Sequence, residues 1–249
     1  MRLDDWCCLG RTVPEESKKY GRKVCSAGFS RELGEFVRVY PLPVVTPVRQ
    51  RSVCVLELGR NPQDSRRESW RLAREQAGAG IVSVGPQLPK ADVLAWLATR
   101  RADSIRELNE RRASVGVLRL AAGDVQGVFA DRETRRPEDP TQSLLFADLD
   151  EQFGAGVIRL APYVRFRDGA GEHRLQIREW GGYEWLRKGG PCCQLWENYG
   201  FNDEDAFVWL VVGNMSNQRT AWLVISAYVE HPEPTLFPVG PDAAGGASA

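Results

Sequence analysis

Short apolar runs that alternate with polar positions dominate both ends of the chain, and a helical period fills the middle. Residues 24–29 and 35–40 are two such runs on either side of a polar connection holding Gly34, the pattern of an antiparallel hairpin. Pro41, Pro43 and Pro47 end the second run. Residues 52–58 set Val53 and Val55 against Cys54, Leu56 and Leu58, which predicts a strand that could be covered on both faces and that shares a sheet with the first two. Residues 61–70 are too charged for a core and read as a turn into a surface element or as a working loop.

Residues 88–112 form the clearest helical region. Pro89 and Asp92 suit its start, and Val93, Leu94, Trp96, Leu97, Ile105 and Leu108 recur at helical spacing against an arginine-rich opposite face. Strands are predicted at 114–120 and 125–130, then a linker or long surface loop at 131–140, which has two prolines and no large apolar residue. Further strands follow at 156–160, 163–167 and 173–178, with a hairpin connection at 167–172. Short helices are predicted at 180–188 and 191–199, and strands at 206–212 and 221–229 around the polar loop 213–220. These elements predict an α+β fold of mostly antiparallel sheets with a few packed helices and a barrel-like N-terminal part. The expected division is a β-rich domain over 1–130 with one helical region, an α+β domain over 141–230 and a disordered tail over 231–249.

Composition adds boundaries to this picture. The chain has 249 residues, 43% of them hydrophobic, and 33 basic against 33 acidic side chains, so no polybasic binder held by bulk charge is implied. The charge is graded, however: residues 1–80 carry 15 basic and 10 acidic groups, residues 141–249 carry 8 and 14. No signal peptide or membrane span is read, and a cytoplasmic location with no membrane partner is expected. The six cysteines include two adjacent pairs and no C-x-x-C spacing, which fits reduced, buried thiols rather than a zinc site. No metal site is expected, and no cofactor can be assigned. P-loop, dinucleotide-fingerprint, zinc-peptidase and nucleophile-elbow motifs are all absent.

Three stretches carry a resemblance. Residues 14–21 (PEESKKYG), 24–28 (VCSAG) and 36–43 (FVRVYPLP) are similar to the opening of a family of uncharacterised bacterial proteins with SKKYG, VCxAG and WxRxYPxP motifs. Asp64, Arg66, Glu68 and Ser69 match that family's DxRxES, and Pro162, Tyr163, Phe166 and His173 match its PYxF strand and following histidine. Glu179-Trp180-Gly181 departs from its Asp-Trp-Glu, and Gly213-Asn214 from its Gly-Thr. The resemblance supports the segment boundaries and implies no chemistry.

The candidate site residues follow from chemistry. Asp64 and Glu68, with Arg66 between them, could supply a base and an anion contact in one loop, although a self-satisfied turn explains the same residues. Cys25 is a candidate nucleophile on an apolar strand, and His173 a candidate acid/base, each against a plain structural role. Lys18, Lys19 and Tyr20, with Arg38, Tyr40 and Arg66, could form a basic, aromatic surface that follows a phosphate backbone. The leading expectation is therefore a nucleic-acid-binding accessory or processing protein, with DNA or RNA as partner. An enzyme modifying a nucleotide or small molecule through Asp64, Arg66 and Glu68 is the alternative. A third reading is a protein-interaction subunit that docks a partner through Trp180, Trp185, Trp196, Trp209 and Trp222.

Overall fold

The computed structural model describes residues 1–17, 21–62, 64–73, 80–131, 160–201 and 203–232. The protein is α+β, built on two sheets, and its N-terminal part is a closed five-stranded barrel. Strands β1 (Arg2–Arg11), β2 (Glu15–Ser17), β3 (Gly21–Ser30), β4 (Glu35–Pro43), β5 (Ser52–Arg60), β6 (Ser69–Leu72) and β7 (Ile81–Gln87) make the first sheet. Around the barrel the order is β1-β3-β4-β6-β5, and β5 returns to β1 through pairs such as Leu3 with Leu56. Closure leaves no free edge among these five strands. β2 and β7 are added outside it, on β3 and β5.

Alternation decides what fills the barrel. Leu3, Trp6, Cys8, Val24, Val37, Val39, Cys54, Leu56, Leu58 and Leu72 pack in one cluster inside. Trp6 is fully buried and donates its indole N–H to the Val37 carbonyl at 3.1 Å. Gly28 makes room for it, because a Cβ there would lie 2.4 Å from the Trp6 ring and from the Cys7 carbonyl. Burial raises the thiol pKa of Cys7, Cys8 and Cys54 to about 12, 11 and 12, so these three remain protonated at neutral pH.

The second sheet runs β8 (Val115–Ala121), β12 (Phe207–Asn214), β13 (Trp222–Glu230), β11 (Gly171–Ile177), β10 (Leu160–Asp168), β9 (Val125–Asp131). All its pairings are antiparallel except the short one between β11 and β13. Helices α3 (Trp180–Arg187) and α4 (Cys192–Asn198) connect β11 to β12. The two sheets meet through apolar faces. Cys7, Leu9, Ala27 and Phe29, outside the barrel, join Val115, Val117, Trp209, Val211, Ile225 and Tyr228 in one buried cluster.

The expected helical region at 88–112 is two helices, α1 (Lys90–Ala98) and α2 (Ile105–Glu110). Between them Ala102 bridges to Leu118 on β8, and Ser104 caps α2 by accepting from the Glu107 N–H. A continuous helix could satisfy neither contact. β1, β2 and β6 were not foreseen: β1 carries Asp4 and Asp5 near its start, and β6 lies partly inside the polar stretch. β8 and β9, grouped by sequence with the N-terminal half, are strands of the second sheet. Most of the expected linker, almost all of the expected strand at 156–160 and the tail from 233 lie outside the described residues. No helix among the described residues is long and apolar enough to cross a membrane.

Replacing Gly28 with alanine should force Trp6 and β1 apart and cost about 1–3 kcal/mol, the usual range for overpacking a filled core. Denaturant unfolding followed by tryptophan fluorescence measures it.

Candidate functional site

The Asp64 cluster forms where the β5–β6 connection meets the second sheet. The Asp64 carboxylate accepts from Arg66 Nε at 2.8 Å, Arg66 Nη2 at 2.5 Å and the Ser69 hydroxyl at 2.5 Å. Arg66 then reaches across the seam, donating Nη1 to the Asn214 carbonyl at 2.7 Å, and Arg38 donates Nη1 to the same oxygen at 2.8 Å. Asn214 is held in turn by its side-chain amide, which donates to the carbonyls of Ala113 and Arg219. Glu68 accepts from the Ser114 hydroxyl at 2.9 Å. The whole set is a bracket between barrel and sheet.

Its electrostatics fit that role. Burial pushes the Asp64 pKa up, but the Arg66 pair and the Ser69 hydroxyl outweigh it and hold the group at about 2. Arg38 is only 3% exposed; its pKa is lowered, first by burial, and its Nε has no hydrogen-bond partner.

These observations correct part of the sequence reading. Arg38 and Arg66 were expected to follow a phosphate backbone, yet they are 3% and 7% exposed and committed to Asn214. Asp64 and Glu68 face Arg66 and Ser114 rather than an open cleft. Cys25 is half-buried on β3, where its N–H donates to the Thr12 hydroxyl. Tyr40 is half-buried on β4. Lys18, Lys19 and Tyr20 lie outside the described residues. Of the tryptophans, Trp209 and Trp222 are core side chains, 2% and 6% exposed.

His173 stands apart from this bracket, on β11. Its ring packs 5.2 Å from that of Phe166, and its Nε2 lies 2.9 Å from Asp168 Oδ2, short but poorly aligned for a hydrogen bond. Asp168 has no exposed side-chain surface. It accepts from the backbone N–H groups of Ile105 at 2.8 Å, Ala170 at 2.7 Å and Gly171 at 3.1 Å. Burial opposes its charge, but these donors, with His173, bring its pKa below the ordinary carboxylate value.

A groove of about 870 Å³ opens beside this pair, at the end of β9, β10 and β11. Phe166, His173, Trp196 and Phe201 line it, with Gly127 beneath Trp196. A Cβ at Gly127 would sit 2.1 Å from the indole, so the ring lies directly on the strand. Arg165, Arg167 and Arg174 belong to the same lining. Arg165 and Arg174 are direct cross-strand partners, a like-charge pairing that costs stability in the absence of an anion. Sequence reasoning named His173, and Trp196 only as a protein-docking residue, but missed Asp168, Phe201 and these arginines. The Asp-Gly turn was visible and was read only as a hairpin.

Among the described residues no three His, Cys, Asp or Glu side chains converge to hold a metal. Residues 6–102 match the family model of a domain of unknown function, DUF8758. The match covers the barrel and α1 and stops before the second sheet. No curated protein matches the chain.

Asp64→Asn removes one partner of a buried pair and should cost about 3 kcal/mol at neutral pH. Because the folded pKa lies below the ordinary 3.8, the stabilisation is present above that value and lost as pH falls through about 2. Wild-type and variant stabilities, compared across acid pH by denaturant unfolding, should therefore converge toward pH 2.

Proposed function

We propose that the protein binds single-stranded nucleic acid at the end of its second sheet. The observation that carries this reading is a single groove lined by both aromatic rings and arginines, 870 Å³ in volume and within the size range of ligand sites. Strand alternation puts Phe166 and His173 on the helix-covered face and Arg165 and Arg174 on the other. A base would stack on the half-buried rings of His173 and Trp196, and the adjoining phosphates would pass around the sheet end toward the guanidiniums. Stacking tolerates any base, while the cations follow the backbone.

The charges leave room for such a ligand. Arg167 is paired with Glu172 at 2.7 Å in an exposed bridge, and Arg174 lies 4.3 Å over the Tyr163 ring. Arg165 has no ion pair among the described residues. An enzyme built on Asp64, Arg66 and Glu68 is not favoured, since those groups already satisfy one another and the seam.

Fluorescence anisotropy with labelled single strands, duplexes and a free mononucleotide tests this. Binding to single strands that weakens steeply with salt is expected. Arg165→Glu with Arg174→Glu should reduce it at least about tenfold. Binding of the mononucleotide with none of the strands would make a small ligand the source of the chemistry, and no binding at all would remove the reading.

A further inference from the structure

The groove holds one group that binding alone does not require. His173 Nε2 is buried and turned to Asp168, which leaves Nδ1 as the nitrogen available to a ligand. Asp168 is itself immobilised by three backbone donors, so a carboxylate that cannot swing away stands 2.9 Å from the ring nitrogen. A base oriented by a fixed third group is the arrangement that proton transfer needs. Arginines line the same groove.

We propose that His173 is the general base of an RNA-cleaving centre; this rests on the single-strand binding reading above. Among reactions open to a bound strand, cleavage by the strand's own 2′-hydroxyl asks least of the protein. One base must remove a proton, and cations must meet the charge that develops on phosphorus. His173 Nδ1 takes the 2′-hydroxyl proton as the 2′-oxygen bonds to the adjacent phosphorus. The phosphorus–O5′ bond breaks, and the departing 5′-oxygen takes a proton from water, leaving a 2′,3′-cyclic phosphate and a 5′-hydroxyl. The hydroxide so formed accepts the proton held on His173, and atoms and charge balance. Asp168 is a positioning residue: it holds the ring and stabilises the imidazolium while it exists. Arg165, Arg167 and Arg174, which line the groove around the sheet end, are the cations available to the non-bridging oxygens. DNA lacks the nucleophile and would bind without being cut.

The test uses the full chain, a labelled RNA and the same strand carrying one 2′-deoxy nucleotide, with binding and cleavage followed separately. RNA cleavage to cyclic-phosphate ends is expected, blocked at the deoxy position, and about 100-fold or more slower in His173→Gln when both proteins are saturated with RNA, so that any loss of stacking affinity does not enter the rate. His173→Asn, of smaller volume, repeats the measurement should the glutamine variant fold poorly. RNA that binds and stays intact overturns this inference and leaves the binding reading standing. Cleavage unchanged in both variants also overturns it, as the mark of a contaminating nuclease. Failure to bind any strand overturns both.

Discussion

Two guanidinium ions converge on the carbonyl oxygen of Asn214, and the relation between the two halves of the molecule depends on that contact. Burying cations is tolerated only where carboxylates and carbonyls replace the lost water. Arg66 has Asp64 for this, and Arg38 has the end of β12. The geometry is demanding in consequence. Arg38 must point outward from β4, Arg66 must be folded back by the turn before β6, and β12 must end at Asn214. Gly213 is part of the same constraint, because a side chain there would sit 2.2 Å from an Arg38 nitrogen. Once these positions are fixed, the apolar faces around Phe29, Trp209 and Ile225 come into register, supplying the buried area that the polar contacts aim.

Most strands were legible because their alternation survives in one dimension. Residues 35–40 and 52–58 turn one face to the barrel interior, residues 221–229 serve a core on each face, and each is a strand. β1 was hidden by its two aspartates, one of which, Asp5, accepts from the Ser30 hydroxyl and the Glu32 N–H. β6 was hidden because four residues inside a charged stretch carry no periodic signal. The break between α1 and α2 depends on a bridge to β8, which no local pattern encodes.

The candidate site shows the opposite limit. The densest polar motif, Asp64 to Ser69, attracted a chemical reading because its groups lie close in sequence. Closeness in sequence is also how a tight turn satisfies itself, and that satisfaction is what the residues do here. The groove is assembled instead from residues 123–127, 165–174 and 196–201, three segments with no shared motif. Their conjunction exists only after β9, β10 and β11 pair and α4 lays Trp196 over Gly127. His173 was visible because histidine is rare in this chain, while its partner Asp168 looked like an ordinary turn residue.

Strand order also has a consequence for how the chain is made. Every strand of the barrel lies before residue 88, yet part of the surface that covers its outer face, Ile225 and Tyr228, belongs to β13. On the ribosome a completed barrel would first be covered in part by α1, whose Trp96 stacks on Phe29, while the places of Ile225 and Tyr228 stay empty until β13 emerges. Such a nascent chain presents the rest of that apolar face to its surroundings until β13 is made, which makes this face the place where a chaperone would have most to hold.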